Sequence, residues 1–399
     1  MKLVLACFYQ AYPPWTGAAA VTCGVARYAH GTRVLVQTAP QAGRTETDEC
    51  FTVVAVAHPA ARRWRQALAL WRPVRRVARA VEAERPDVVV LEGATWAPYH
   101  WLLLRRLRRT LPKATIVYHS HNVEYELRRQ KHGRLVRGVT RWAEGAVLKG
   151  CDLCFAVSEV DREQLRRLYG VETQLLPNGV DVDRFAGVTD TAVTEAKRLY
   201  GIADQSVLFM GPYYYRPNRE AIDFLIYEVF PRILKTCPQA RLLVLGGPIP
   251  YRRPWLVNPG LIPYDQIPAV VRSCRVGVAP IFSGSGTRLK ILEYLAAGRP
   301  VVSTAKGAEG LRVQSGHNIL IAEDAEAFAD AVALLMSDDA RADELGRRGC
   351  ELVRNCYDWP ETTRKMNELL ELACANGTLG ALNARAHEKA LGDDVRLSS

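Results

Sequence analysis

Residues 282–311 read FSGSGTRLKILEYLAAGRPVVSTAKGAEGL: a glycine-bearing loop, an amphipathic helix, a strand and a second glycine turn carrying an acid. Gly284 and Gly286 flank Ser285, so the backbone can turn sharply and approach a ligand with no Cβ in the way. Leu289, Ile291, Leu292, Leu295 and Ala296 fall at helical spacing, and Gly298 with Pro300 supplies the stop. The helix is predicted to begin at Gly286–Arg288, where unbonded N–H groups and the positive dipole end favour an anion. Arg288 and Lys290 in that first turn oppose the dipole unless an anion is bound. Glu293 lies ~7.5 Å further along the axis at about 1.5 Å per residue, a reach that suits a carboxylate accepting ribose hydroxyls while a diphosphate sits at the helix start. Taken alone, the helix fits a solvated surface element equally well.

The totals set the frame. At 399 residues the chain exceeds one ordinary core and predicts two domains of roughly 180–200 residues. The opening MKLVLACFYQ reads as a first strand rather than a signal peptide, and no uncharged apolar run is long enough to span a bilayer. A cytoplasmic protein is the expectation. Ten cysteines are scattered, and the one close pair, Cys151 and Cys154, lacks partners for a zinc site. Residues 1–185 hold 28 Lys and Arg against 17 Asp and Glu, net +11, while residues 186–399 hold 25 of each. So segregated a charge points to one domain facing an acidic partner, an anionic substrate or a membrane surface. Nucleic acid is set aside, because neither a recognition module nor an interleaved aromatic and basic strand pattern is present.

Alternating apolar runs and helical stretches organise both halves. Lys2–Tyr9 and Arg33–Thr38 bracket a helix at Ala18–Ala29, a βαβ opening. Further strands are predicted at Phe51–Ala57, Asp87–Leu91, Thr115–His119 and Leu153–Val157, then at Val207–Gly211, Arg241–Gly247, Val276–Ile281, Pro300–Ser303 and Ile319–Ala322, with a helix at Asn218–Lys235. Doubly wound parallel sheets follow, with binding residues at the carboxyl ends of their strands. Past the strand at Thr115 stand His119, His121, Asn122 and Glu124; Glu92-Gly93 after DVVVL gives a weaker signal. Gly211-Pro-Tyr-Tyr-Tyr-Arg216-Pro-Asn218 is a turn at a helix start, and Glu309-Gly310-Leu311 follows the strand at Pro300. LPNGVDVDRF at 176–185 closes the first half; its Asn178-Gly179 turn after a strand, then the polar linker residues 187–194, read as the interdomain hinge.

The run at 282–311 resembles the donor-binding segment of the family 4 retaining glycosyltransferases, whose two-Rossmann architecture is called GT-B. In that family two acids stand eight positions apart; Glu293 matches the second, on the ribose, and Ser285 stands where the first would be. A subgroup with the pattern GxGTRxKxxE is more similar still, and matches Gly284, Gly286, Thr287, Arg288, Lys290 and Glu293. PNGVD at 177–181 resembles a second signature. The resemblance covers residues 1 to about 375 and decides for the anion cradle.

It implies two Rossmann-like domains facing a cleft: an acceptor domain at 1–185, a donor nucleotide-sugar domain at 186–358 and a helix at 359–375 crossing back; beyond the resemblance, residues 376–399 are expected to form a mobile tail. Arg288, Lys290 and His121 are then the candidate catalytic residues. Gly17, Arg216, Asn218, Ser285, Gly286, Thr287, Glu293, Glu309, Gly310 and Leu311 would bind the donor. Ala18 stands where the family usually has the second of two glycines. The HNVE-like segment puts His121 and Glu124 on the acceptor side. The reaction implied is transfer of a sugar from a UDP- or GDP-sugar to a glycan or lipid-linked acceptor, with retention, and with neither cofactor nor metal. A nucleotide-sugar epimerase, a phosphorylase or a non-catalytic sugar-nucleotide-binding subunit are the alternatives. The run AARRWRQALALWRPVRRVARAV at 60–81, with seven arginines and no acid, adds a peripheral anionic membrane surface as a partner: Trp64, Leu68, Trp71, Val74 and Ala78 fall at helical spacing, divided at Pro73.

Overall fold

The computed structural model describes residues 1–47, 51–57, 71–129, 132–284 and 286–376. The chain folds as two units: one of residues 1–156, 162–176 and the chain from Thr363, the other of Val157–Asp161 and Pro177–Thr362.

Eight strands form the sheet of the first unit: β1 (Lys2–Ala6), β2 (Thr32–Ala39), β3 (Gly43–Glu46), β4 (Phe51–Ala57), β5 (Val88–Glu92), β6 (Thr115–Ser120), β7 (Leu153–Ala156) and β8 (Gln174–Leu175). Their order is β3-β4-β2-β1-β5-β6-β7-β8, parallel throughout except for the β3–β4 pair. β1 and β5 are central and buried on both faces, which is why LVLA and VVVL read as unbroken apolar runs. Trp71–Glu84 is helical and lays Val74, Val77, Ala78 and Val81 into one core with Val4, Val34 and Val89. The division expected at Pro73 turns on residues before Trp71, which lie outside the described residues. The last helix, Trp359–Asn376, contributes buried Met366 and Leu370 to the first unit. Its Asn367 accepts from the His30 amide at 3.0 Å and donates to the Tyr28 carbonyl at 3.1 Å.

The second unit holds six parallel strands, β9 (Ser206–Met210), β10 (Arg241–Leu245), β11 (Leu256–Gly260), β12 (Val276–Ala279), β13 (Val301–Ser303) and β14 (Leu320–Ile321), in the order β11-β10-β9-β12-β13-β14. The period-two alternation of a strand divides the core in two: Leu208 and Met210 join the cluster of Tyr294 and Leu295, while Val207 and Phe209 join that of Phe230 and Phe328. β11 carries Pro259 and lies at the sheet edge, where a missing donor is tolerated.

Among the described residues the predicted strands and helices are present, with ends shifted by at most three residues; the short β8 is the strand expected before Asn178, and β3 and β11 were not predicted. The helix expected at Asn218–Lys235 begins at Arg216 and is interrupted by a π turn at Leu225–Val229. The linker expected at 187–194 is corrected: Thr189 accepts from the Ala192 amide and caps a helix, Asp190–Tyr200, whose first turn carries Asp190. Trp64, Leu68 and most of the tail from residue 377 lie outside the described residues. Val74 and Ala78, read as part of a membrane-facing stripe, are wholly buried; the exposed face of their helix carries Trp71, Arg72, Arg75, Arg76 and Arg79.

Candidate functional site

In the second unit the carboxyl ends of β9, β12 and β13 gather the residues singled out at 211–218, 284–293 and 309–311. The helix of the cradle is Leu289–Ala296, with Arg288 in extended conformation at its cap. The sequence placed this start at Gly286–Arg288; the extended backbone of Arg288 delays it by one to three residues, leaving Arg288 ahead of the first turn and Lys290 within it. Two contacts fix the helix on the sheet. Tyr294 packs where Gly277 has no side chain, a Cβ there lying 2.4 Å from the ring, and its hydroxyl accepts from the Met210 amide at 2.8 Å.

Lys290 Nζ donates to Asn218 Oδ1 at 2.9 Å and stands 4.0 Å from the centre of the Phe209 ring. Burial, then the neighbouring Arg288, pushes its ammonium down to about 7. Burial likewise lowers Arg288, which donates to the Gly286 carbonyl. Glu293 goes the other way: burial raises its carboxyl to about 7, against the pull of Arg184 and Lys290. Asn218 is itself held, its Nδ2 donating to the Pro212 carbonyl at 3.2 Å beneath Gly211, whose φ of +150° a side chain would strain and whose Cβ would strike it.

The other residues expected on the donor side in this unit are placed as follows. Gly286 and Thr287 form the loop, and Thr287 Oγ1 accepts from Asn178 Nδ2 at 2.6 Å, so the PNGVD segment braces the cradle. Gly179 beside it leaves room for the Trp359 ring, 2.5 Å from where a Cβ would be. Gly310, at φ +81°, lets the chain pass Ser158 and Thr287, both within 3.1 Å of its missing Cβ. Leu311 packs against the core. Glu309 pairs with Lys306 at 2.5 Å. Arg216 is exposed and pairs with Glu220 at 2.6 Å, and Glu220 in turn accepts from Ser283. Asn218, two residues on, reaches Lys290. Ser285 lies outside the described residues.

In the first unit, Gly17 is the exposed first residue of the helix Gly17–Tyr28, capped by Thr16. His121 is nine-tenths buried and joined to a residue that the sequence marked only weakly. Its Nε2 lies 2.5 Å from Glu92 Oε2, an oxygen that also lies 3.2 Å from His119 Nδ1 and 3.2 Å from the Thr22 hydroxyl. Tyr9 Oη reaches Thr22 at 2.7 Å, extending the chain. Burial opposes ionisation of Glu92, yet the two imidazoles outweigh it and hold the carboxyl well below the usual range. Burial lowers His121 in spite of its bond to Glu92. Glu124 does not join this group: it pairs with Arg128 at 2.6 Å on the helix Glu124–Arg129. The amides of Glu124 and Tyr125 donate to buried Glu144, whose carboxyl burial raises to about 7.

Donor atoms of Glu92, His119 and His121 lie within 4.8 Å of one another, the one such metal-capable group among the described residues. Two ligands of a tetrahedral zinc stand about 3.3 Å apart, given bonds of about 2.0–2.1 Å. The 2.5 Å between His121 and Glu92 is shorter than that separation.

Residues 15–184 match the family model described as Glycosyltransferase Family 4, and residues 204–338 match that of Glycosyl transferases group 1. The chain is 26% identical over 234 residues to a phosphatidyl-myo-inositol mannosyltransferase of Mycobacterium leprae, covering 56% of this chain and 60% of that protein. It is 27% identical over 259 residues to a GDP-mannose-dependent alpha-(1-6)-phosphatidylinositol monomannoside mannosyltransferase of Mycolicibacterium smegmatis, at 58% and 65% coverage. It thus spans less than two thirds of these relatives. Among solved structures it resembles sucrose-phosphate synthase from Thermosynechococcus elongatus (TM-score 0.75, 17% identity, 94% and 99% coverage). It also resembles Anabaena HepE in complex with UDP-glucose (TM-score 0.72, 14% identity, 93% and 99% coverage). At such identities the likeness is one of fold, two parallel-sheet α/β domains of GT-B type.

Proposed function

We propose, on the premise that this chain belongs to the glycosyltransferases through a Family 4 domain at 15–184 and a group 1 domain at 204–338, that it transfers a sugar from a nucleotide-diphosphate sugar to a glycan or lipid-linked acceptor with retention. The observation that carries this reading is the pair Arg288 and Lys290 at the start of the helix Leu289–Ala296, half-buried and set against the helix dipole. As the nucleoside diphosphate departs from the anomeric carbon, negative charge grows on its phosphate oxygens. Cations already in place stabilise that charge without reorganising. At ~4 Å and an effective dielectric of ~20, one cation is worth up to about 4 kcal/mol to a unit charge. Glu293, a turn further along, would accept ribose hydroxyls.

The donor is a UDP- or GDP-sugar; the names of the mannosyltransferase relatives favour GDP-mannose and a phosphoinositide-like acceptor, while the HepE complex keeps UDP-glucose in view. In this reading the residues act with neither cofactor nor metal, and the enzyme works at the inner face of the cell membrane. The test is nucleotide release from a panel of UDP- and GDP-sugars, with and without lipid acceptors and a chelator. Acceptor-dependent, chelator-insensitive release, and a product of the donor's anomeric configuration by NMR, are expected. Release of an epimerised donor without acceptor would favour the epimerase, and no release at all the binding subunit.

A further inference from the structure

Glu92 is fully buried, and three side chains converge on one of its oxygens while Oε1 has no partner. A lone carboxylate in such a place is costly unless its neighbours compensate its charge. It sits at the carboxyl end of β5, paired in register with His119 on β6, and His121 follows just past the end of β6. That is the edge of a parallel sheet at which ligands bind. The neighbouring groups are arranged in one direction: the Thr22 hydroxyl donates to Glu92, so Tyr9 must donate to Thr22, and neither of these two hydroxyls is left to donate to the imidazoles. Gly93 permits the arrangement, because a Cβ there would fall 2.6 Å from the Tyr118 hydroxyl and 2.7 Å from the His119 carbonyl.

His121 is the one of the two histidines with some exposure, 7% against 1%. With Nε2 committed to the carboxylate, Nδ1 is its second ring nitrogen, and no partner for it occurs among the described residues. A carboxylate that fixes the tautomer of an imidazole leaves the far nitrogen as a directed lone pair.

We propose that Glu92 is a positioning residue: clamped between His119 and His121, it holds His121 with Nε2–H turned to the carboxylate and Nδ1 presented as the hydrogen-bond acceptor for a hydroxyl of the bound sugar substrate. The substrate part of this statement rests on the glycosyl-transfer reading; the tautomer does not.

Two measurements separate them. In the kinetic arm, Glu92→Gln keeps the shape but removes the charge, and kcat should fall at least about 30-fold with the donor KM within about twofold. His121→Gln should cost as much, and the double variant no more than the worse single one, because the two side chains act as a unit. A kcat in Glu92→Gln within threefold of wild type, or losses that multiply in the double variant, overturns the proposal. In the spectroscopic arm, histidine-selective 15N spectra of the wild-type protein at neutral pH read the tautomer directly, with His121 identified by the signal missing in His121→Gln. A protonated Nε2 beside an unprotonated Nδ1 is expected. The opposite tautomer overturns the proposal, as does one equivalent of zinc in the wild-type protein that Glu92→Gln releases, since Nε2 would then carry the metal. Should Glu92→Gln fail to fold, the wild-type spectrum still decides. If no donor is turned over but the tautomer is as expected, the function reading fails and Glu92 keeps its role.

Discussion

Lys290 and Glu293 stand one helical turn apart with ordinary ionisation displaced in opposite directions, the ammonium down to about 7 and the carboxyl up to about 7. Burial is the first cause in each case. A diphosphate beside Lys290 would restore its charge and raise it again, so affinity for the donor should decline as pH climbs above 7 and the free lysine loses its proton. Glu293 acts with the opposite sign, since only its ionised form accepts two hydroxyls well, and affinity should fall as pH drops below 7. Arg288, Arg184, Asn218 and Phe209 also act on the pair. Calorimetric titration of the donor across pH 5.5–9 should therefore give a maximum near neutrality. Lys290→Ala should flatten the alkaline side and Glu293→Gln the acidic side; a flat profile in wild type contradicts the assignment. Arg288→Ala and Lys290→Ala are each expected to lower turnover at least about 100-fold, equivalent to ~2.7 kcal/mol of transition-state stabilisation, with folded protein confirmed by circular dichroism. Glu293→Ala should weaken even bare UDP or GDP, and unchanged affinity for both would remove its ribose role. At this scale the sequence was informative where a residue's meaning is local. Gly284, Gly286, Lys290 and Glu293 lie within ten residues, and their spacing is what marks them. Glu92 gave only a weak signal because its histidine partners lie 27 and 29 residues away, brought to it by strand register.

The helix Trp71–Glu84 shows how an element can carry two messages. Its periodicity was plain, but amphipathicity alone does not tell which surface the apolar stripe meets, and here the stripe meets the sheet. What faces outward is half-exposed Trp71 with Arg72, Arg75, Arg76 and Arg79. Among the described residues no helix is long and apolar enough to cross a membrane. Attachment to an anionic leaflet would thus be electrostatic, at about 1 kcal/mol per engaged arginine. Co-sedimentation with acidic vesicles should exceed that with neutral ones, weaken with salt, and drop at least tenfold when these four arginines are replaced by serine. Equal, negligible binding to both vesicle types at low salt would leave a soluble acidic acceptor to account for the basic half. The supposed linker at 187–194 teaches the complementary lesson: Thr189 and Asp190 read as polar punctuation, although they are equally the cap and first turn of a helix.

For the molecule as a whole, the tandem repetition of strand and helix made two parallel sheets legible, because each buried strand is a short apolar run between turns. The sheets' less regular members, the antiparallel β3 and the proline-bearing β11, lacked that signature. What no composition could reveal is that the first unit is completed by the end of the chain. Ending the protein at Thr362 would strip Met366 and Leu370 from the first unit's core and Asn367 from the His30 amide. At about 1.5–3 kcal/mol per buried apolar side chain, the calorimetric transition of the first unit should fall by more than about 5 °C while that of the second stays in place; an unmoved transition would show the last helix to be dispensable.

That discontinuity also bears on how such proteins can be bred. A single recombination near Pro177 between two parents would pass on the second unit nearly whole, yet it would deliver the other parent's 363–376 to a first unit that never co-evolved with it. A chimaera that keeps the tail of the parent supplying its first unit needs a further crossover at Thr363, so the fitness of hybrids should depend on the last helix as much as on the second unit they were made to exchange.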